Sequence, residues 1–243
     1  MAARRPSLFV VPGSHPCACV ERALELKGIA YRRVELPPPL HAPIQRAIFG
    51  RRTVPGLRLA GGERVSGSRA ILRRLEELAP EPRLLPGDAD ARARVEEAER
   101  WGDEVLQPLV RRVLWSALSC RPEAIPSFSE GSSLNLPAQA VAAFAPALTR
   151  AQRMLNAVSD DAVRKDLETL PSHLDRVDAW IADGTLGGEA PNVADLQIAP
   201  SIRLLSNVAD LRTHLESRPC LELATRLFPT YPGAVPAGAL AVG

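Results

Sequence analysis

The sequence predicts an α+β protein in which the strands are confined to the first third of the chain. Short apolar runs separated by turn residues alternate with helical patterns as far as residue 78, in the order strand, helix, strand, helix, strand, strand, helix. After residue 88 the apolar residues recur at helical spacing only. We therefore expect four regions: a small mixed domain at 1–82, a linker at 83–88, an all-helical domain at 89–228 and a flexible tail at 229–243.

The beginning of the chain has the pattern of a parallel strand pair. Residues 7–11 are an apolar run that Pro12 and Gly13 break, a helical pattern follows as far as Gly28, and residues 31–35 alternate like a strand. A short crossover of this kind returns right-handed to the same sheet, so the two strands are expected to be parallel neighbours.

A hairpin and a helix complete the predicted first domain. Residues 41–49 are expected to be helical, residues 56–66 form two short strands around a Gly-Gly turn, and residues 68–78 form a helix that covers the sheet. The hairpin brings the predicted sheet to four strands.

The second domain is predicted to be a set of helices, of which the first is the longest. Residues 89–119 carry an apolar stripe at helical spacing, with Pro108 expected to bend the helix. Asn192 and Asp195 match a capping-box variant at the start of a later helix. The remaining helices are predicted at 138–158, 161–182, 196–205 and 220–228.

Composition excludes several classes of protein. Charged residues make up 24% of the chain and the formal net charge is +2, so nothing favours a nucleic-acid or membrane partner. The apolar run at 8–11 is too short for a signal peptide, and no later segment approaches a membrane span. Four cysteines without a regular framework predict a reducing, cytoplasmic location.

Two features around the hairpin predict a site for a small acidic peptide. Pro55 keeps Val54 out of helical space, and a cis bond between them would expose the Val54 N–H and C=O groups to an incoming extended chain. Ser68 begins a helix, where unpaired N–H groups, the positive end of the dipole and a hydroxyl suit a ligand carboxylate. Glutathione has the required chemistry.

The order of elements, with Pro55 opening the third strand and Ser68 opening the last helix of the first domain, resembles the cytosolic glutathione transferases. The resemblance extends from about residue 7 to residue 228. It implies a thioredoxin-like βαβαββα domain followed by an all-helical bundle domain. It also implies a homodimeric detoxification enzyme that activates the thiol of glutathione for attack on a small apolar electrophile, without a metal.

Residues 14–20 are similar to the loop and helix start of theta-like and bacterial members of that family, in which the first serine activates the sulfur. The resemblance therefore makes Ser14 the catalytic candidate. Its hydroxyl, at about 3 Å from the sulfur, would stabilise the thiolate over the thiol. The alternative is that Ser14, after Pro-Gly, is only a turn residue and a helix cap.

Two neighbours of Ser14 have open roles. Cys17 is a second catalytic candidate, because a cysteine at a helix start can have a depressed pKa and form a mixed disulfide with a small thiol. The alternative is a small residue that packs the first helix. His15 either polarises or positions a ligand, or is a solvated residue of an exposed loop.

Recognition of glutathione has one weakness, since Gly67 stands where the family places glutamate or glutamine. A charge-assisted hydrogen bond worth about 1.5–3 kcal/mol is thereby lost. Two arginines before Val54 either bind the glycine carboxylate of glutathione or belong to a solvated loop. The candidates for binding the thiol are His15, Arg51, Arg52, Val54, Pro55, Gly67 and Ser68.

The second substrate is expected between the domains, against the inner face of the first long helix. The candidates there, Trp101, Gln107, Arg111 and Trp115, recur near helical spacing, and most of this stripe is expected to be core. The loop at 121–137 and the tail around Tyr231 are expected to roof the cleft.

Two other functions compete with the transferase. The first is a non-catalytic binding or interaction protein with the same fold, for which Gly67 is the argument. The second is a thiol reductase that depends on Cys17. A different low-molecular-weight thiol as cosubstrate is a further alternative.

Overall fold

The first part of the chain forms a mixed sheet. The structure is a computed structural model that describes residues 5–134 and 138–240. Within these residues the sheet has four strands in the order β2-β1-β3-β4, where β1 pairs in parallel with β2 and antiparallel with β3, and β3 pairs antiparallel with β4. The strands are β1 (Ser7–Val10), β2 (Arg32–Glu35), β3 (Gly56–Arg58) and β4 (Arg64–Ser66).

Three helices accompany this sheet, namely α1 (His15–Leu26), α2 (Pro38–Phe49) and α3 (Ser68–Leu78). Helices α1 and α3 pack against each other, and each contributes fully buried side chains to the core, such as Leu24 of α1 and Leu72 of α3. The predicted thioredoxin-like arrangement is confirmed. Helix α2 begins three residues earlier than predicted, because proline suits the first turn of a helix, where its missing N–H would have no partner.

Most of the rest of the described chain, as far as Leu227, is helical. The long predicted helix is present as α4 and α5, joined without a break by a π-helical turn at Gly102–Leu106, just before Pro108. No helix of the described residues is both long enough and apolar enough to cross a membrane. The helices are α4 (Ala89–Trp101), α5 (Gln107–Cys120), α6 (Ala138–Leu155), α7 (Asp160–Ala182), α8 (Val193–Ser206), α9 (Arg212–Leu215) and α10 (Pro219–Leu227).

Helix α8 lies at the centre of the helical region and contacts α1, α4 and α10. Asn192 accepts hydrogen bonds from the first N–H groups of α8 while the Asp195 carboxylate accepts from the Asn192 N–H, so the predicted capping box is present. Gly102 lets the π-helical turn approach α8 closely, since a Cβ there would lie 2.9 Å from Ile198 Cγ1. The helical domain therefore packs directly on the first domain.

The tail differs from the prediction of flexibility. Residues 229–240 lie against the helical domain, and residues 241–243 are outside the described part of the chain. The Asp210 carboxylate accepts hydrogen bonds from the N–H groups of Gly238, Ala239 and Leu240 at 2.7, 2.8 and 2.9 Å. The Asn207 carbonyl accepts another from the Val235 N–H. Small residues suggested mobility, but these contacts hold the backbone, which composition does not reveal.

Candidate functional site

A cavity of about 500 Å³ lies between the two domains. The first domain contributes the β1–α1 loop, the starts of α1 and α2, and residues 52–54. The second domain contributes α5, the 3-10 segment Pro122–Ser129 and the last turns of α6. None of the described residues that line this cavity is acidic, and many are apolar. The cavity is therefore suited to an anionic ligand with an apolar companion.

Ser14 lies at the N-terminus of α1 and lines the cavity. It is the N-cap residue, but its side chain accepts no capping hydrogen bond from the described residues. Its backbone alone serves the turn, because the Ser14 N–H donates to the Val11 carbonyl at 3.2 Å and the Ser14 carbonyl accepts from the Cys17 and Ala18 N–H groups. The interpretation of Ser14 as only a turn residue and helix cap requires the hydroxyl to accept a capping hydrogen bond. Among the described residues, the hydroxyl does not do so.

Cys17 is buried one turn into α1, with 1% of its surface exposed, and it does not line the cavity. Burial raises the pKa of the Cys17 thiol to about 12, although a hydrogen bond with Ser14 opposes the shift. The side chain is accordingly a thiol at neutral pH. This geometry favours the packing interpretation of Cys17 over a role as attacking thiolate.

His15 is not the solvated loop residue of the sequence-based alternative, because it is 2% exposed at the first position of α1. Its Nδ1 atom lies 2.8 Å from the Ser201 hydroxyl on α8, in a hydrogen bond between the two domains. Burial, and secondarily the positive charge of Arg111, lowers the pKa of His15 well below its usual value. The imidazole that lines the cavity is therefore neutral at pH 7.

The segment before β3 has the expected exposed backbone. The peptide bond between Val54 and Pro55 is cis, and Val54 lines the cavity. Within residues 5–134 and 138–240, neither the N–H nor the C=O of Val54 forms a hydrogen bond. The Pro55 carbonyl instead accepts from the Gly67 N–H at 3.0 Å, which ties this segment to the start of α3.

The start of α3 is close in sequence to that contact but does not line the cavity. Gly67 is the N-cap residue with φ of 92° and ψ of 141°, a conformation that residues with a side chain rarely adopt. Ser68 is 3% exposed at the first helical position. The Ser66 hydroxyl beside them is buried and has no hydrogen-bond partner among the described residues. The Ser66 hydroxyl and the first N–H groups of α3 are therefore available to donate hydrogen bonds to a carboxylate.

The two arginines before Val54 are both exposed, and only Arg52 lines the cavity. Neither forms an ion pair with the part of the chain that the structure describes. Arg52 is thus the better placed of the two for a ligand carboxylate.

Of the four candidates for the second substrate, Arg111 and Trp115 line the cavity, whereas Trp101 and Gln107 do not. Trp101 packs edge-on against Trp180, with ring centroids 5.2 Å apart, so it belongs to the core of the helical domain. Gln107 is 2% exposed.

A comparison with known families matches residues 8–83 to the model of the glutathione S-transferase N-terminal domain. Residues 8–83 are therefore similar to the N-terminal domain of the glutathione S-transferase family. This match confirms the family that the sequence resembles, while the theta-like subtype stays a prediction. No curated protein matches the chain.

Solved structures share the fold of the whole chain. The beta-etherase LigF from Sphingobium sp. strain SYK-6 is 18% identical, with a TM-score of 0.62 over 91% of this chain and 98% of that protein. A glutathione S-transferase domain-containing protein from Marinobacter aquaeolei VT8 is 18% identical, with a TM-score of 0.63 over 91% and 96%. A glutathione transferase homolog from Sulfitobacter, with bound glutathione, is 16% identical, with a TM-score of 0.54 over 92% and 91%.

Sequence reasoning missed several residues on the helical side of this cavity. Leu114 and Leu118 share the inner face of α5 with Arg111 and Trp115, and helical spacing from Arg111 was a signal that could have found them. His41 of α2 and the residues from the end of α6 carried no such signal. The latter are Leu148, Gln152, Leu155, Asn156 and Ala157.

Proposed function

We propose that the protein is a glutathione transferase in which Ser14 activates the thiol of glutathione for attack on a small electrophile. One observation carries the proposal. Ser14, whose hydroxyl caps no N–H group of α1 among the described residues, lines the same cavity as the free backbone of Val54 and the apolar inner face of α5. A thiol group, a peptide backbone and an apolar electrophile therefore have complementary partners within one space.

Activation follows from ordinary electrostatics. The Ser14 hydroxyl donates a hydrogen bond to the sulfur at about 3 Å, and the positive end of the α1 dipole also favours the thiolate. The thiol proton passes to water. The sulfur then forms a bond to the electrophilic carbon, and the bond from that carbon to the leaving group breaks with its electron pair. Holding both reactants in one cavity contributes the proximity term.

Binding of glutathione rests mainly on the first domain. The N–H and C=O groups of Val54 pair with the peptide backbone of the ligand, and Arg52 at the cavity offers a bidentate partner for a carboxylate. Ser68 and the N-terminus of α3 provide a second place for a carboxylate. The proposal also includes a cytoplasmic homodimer, as the family resemblance implies, which light scattering of the purified protein tests.

The decisive experiment compares Ser14→Ala with the wild type, using glutathione and 1-chloro-2,4-dinitrobenzene. We expect kcat/KM to fall about tenfold or more, which corresponds to about 1.4 kcal/mol of transition-state stabilisation. Ser172→Ala is the matched control, since the Ser172 hydroxyl is bonded to the Thr169 carbonyl on the exposed face of α7. Unchanged turnover in Ser14→Ala would sink the assignment of Ser14.

Cys17→Ser in the same assay separates the transferase from the thiol reductase. Because the thiol is buried and outside the cavity lining, we expect turnover within about twofold of the wild type. Loss of activity in Cys17→Ser together with full activity in Ser14→Ala would instead make Cys17 the essential thiol, as the reductase alternative requires.

A non-catalytic binding protein is the second candidate, and it is favoured by Gly67, which lacks the side chain that the family uses to hold the ligand. Calorimetric titration of glutathione distinguishes the two, with Ser68→Ala as the variant that weakens the carboxylate site. Saturable binding that is weakened in Ser68→Ala supports the transferase. No binding at millimolar glutathione would favour the binding protein or another thiol.

A further inference from the structure

Two neighbouring arginines of α5 have opposite surroundings. Arg112 forms two hydrogen bonds to the carboxylate of Asp166 on α7, at 2.6 and 2.7 Å. Arg111 lies on the side of α5 that lines the cavity and is only partly exposed. Within residues 5–134 and 138–240, Arg111 forms neither a hydrogen bond nor an ion pair. Arg112 is thus paired with a carboxylate, whereas Arg111 has no charged partner among the described residues.

The carboxylate whose charge acts on Arg111 does not neutralise it. Asp103 lies in the π-helical turn before α5, and its Oδ1 atom accepts a hydrogen bond from Gln197 Nε2 at 3.1 Å. Asp103 is not within 4.0 Å of the Arg111 guanidinium nitrogens. Burial is the main reason why the pKa of Arg111 is lowered, which expresses the cost of keeping this charge away from water.

The cavity around Arg111 also offers no acidic partner to its guanidinium among the described residues. Its nearest lining residues along α5 are Pro108, Leu114 and Trp115, and none of the described lining residues of the cavity is acidic. His15 lines the same cavity and is neutral. A half-buried guanidinium in this wall is partly shielded from water and forms no ion pair within the described residues, so a bound anion gains a strong partner there.

We propose that the second substrate is an electrophile with an apolar body and a carboxylate group, and that the Arg111 guanidinium binds this carboxylate in a bidentate pair. The proposal rests on the proposed function and names its substrate class. Arg52 lies on the first-domain side of the cavity and Arg111 on the α5 side. The two cations therefore divide the work, with Arg52 for a carboxylate of glutathione and Arg111 for the carboxylate of the electrophile.

A pair of probes that differ only in charge tests this assignment, namely 4-chloro-3,5-dinitrobenzoate and 4-chloro-3,5-dinitrobenzamide. In both, the sulfur–carbon bond forms at the ring carbon that carries chlorine. The carbon–chlorine bond breaks, chloride leaves with the electron pair, and the thiol proton passes to water. The carboxylate and the amide affect the intrinsic reactivity of the ring differently, so binding is reported by the ratio of variant to wild-type kcat/KM for each probe, in which that reactivity cancels.

We expect Arg111→Gln to lower kcat/KM for the benzoate about tenfold or more and to change that for the benzamide less than about threefold. Arg111→Lys should retain part of the preference, because it keeps the charge and loses the planar fork. Arg150→Gln is the matched control for net charge, since Arg150 is exposed on α6 and does not line the cavity. An equal loss for both probes in Arg111→Gln would overturn the proposal.

A binding measurement separates this proposal from that of the transferase. Calorimetry of the unreactive 3,5-dinitrobenzoate should show binding that weakens about tenfold or more in Arg111→Gln, even if Ser14 proves not to be catalytic. Glutathione should bind equally well to Arg111→Gln and to the wild type. Benzoate binding that survives in Arg111→Gln, or a loss of glutathione binding in its place, would overturn the assignment of Arg111 to the electrophile.

Discussion

The two walls of the cavity present different chemical groups. The wall of the first domain presents the β1–α1 loop with Ser14 and the free backbone groups of Val54. The wall of the helical domain presents side chains from α5 and α6, among them Arg111 and Trp115. Backbone groups are the same for every sequence that adopts the fold, whereas side chains change with every substitution.

This difference explains which part of the protein can be recognised. The family model matches residues 8–83, which include the whole first-domain wall, and solved structures with 16% to 18% identity share the fold. The helical wall lies outside the matched residues and shares only the fold with those structures. Fold alone therefore does not identify the electrophile.

The largest expected effect tests whether side-chain pairs hold the helical wall together. Arg112→Met removes the partner of Asp166, whose side chain is only 10% exposed, and leaves a buried carboxylate without a counter-charge. We expect the free energy of unfolding to fall by about 3 kcal/mol, measured by urea denaturation.

The double variant Arg112→Met with Asp166→Leu is the control, and it should recover much of that loss because neither charge is then buried alone. A loss below about 1 kcal/mol in the single variant would show that the pair behaves like an exposed one. The helical wall would then depend on apolar packing alone.

A smaller effect is expected in the first domain behind its cavity wall, where Gly67 adopts φ of 92°. A side chain at this position strains the backbone, so Gly67→Ala should lower the free energy of unfolding by about 1–2 kcal/mol. Gly67→Glu should show a similar loss. Any gain in glutathione affinity is then measured against Gly67→Ala, which has the same strain without the carboxylate.

That comparison tests whether the absence of a glutamate or glutamine side chain at position 67 weakens glutathione binding. Tighter glutathione binding by Gly67→Glu than by Gly67→Ala would show that the missing carboxylate limits affinity. Equal binding by the two variants, each as stable as the wild type, would contradict both the strain and the missing contact. Sequence alone could identify the residue type at position 67 but not its dihedral angles.

Local signals predicted the elements of the fold well. The helix at residues 68–78 has the predicted bounds, and the capping box of Asn192 and Asp195 is present where its spacing indicated. Both depend on residues close together in the sequence. The predicted strands and the long helix through Pro108 likewise rest on periodicity within one segment.

Surroundings that depend on distant residues were not predictable in the same way. His15 is buried and hydrogen-bonded to Ser201, 186 residues away, and the tail is held by hydrogen bonds to Asp210 and Asn207. Trp101 has the same helical spacing as the lining residues of α5, yet the π-helical turn intervenes between them. Periodicity gives the face of one helix but not the neighbour that covers it.

The smallest expected effect concerns the contact that joins the two walls. The pKa of His15 is lowered in the folded protein by burial, and that of the unfolded chain is about 6.5. Below pH 6.5 the unfolded chain therefore takes up a proton that the folded protein does not, and stability falls as the pH falls. His15→Asn removes this proton uptake, so the wild type should lose about 1 kcal/mol more than the variant between pH 7.5 and 5.5.

Urea denaturation of both proteins at the two pH values measures the difference. The variant is the control, because every other titrating group contributes equally to both proteins. If the two proteins lose the same stability, the imidazole is protonated in the folded state. In that case an anion or solvent reaches it, and the junction between α1 and α8 is more open than the hydrogen bond to Ser201 indicates. A loss confined to the wild type would place the neutral His15 at a closed junction, so that the polar wall of the first domain is positioned by the helical domain itself.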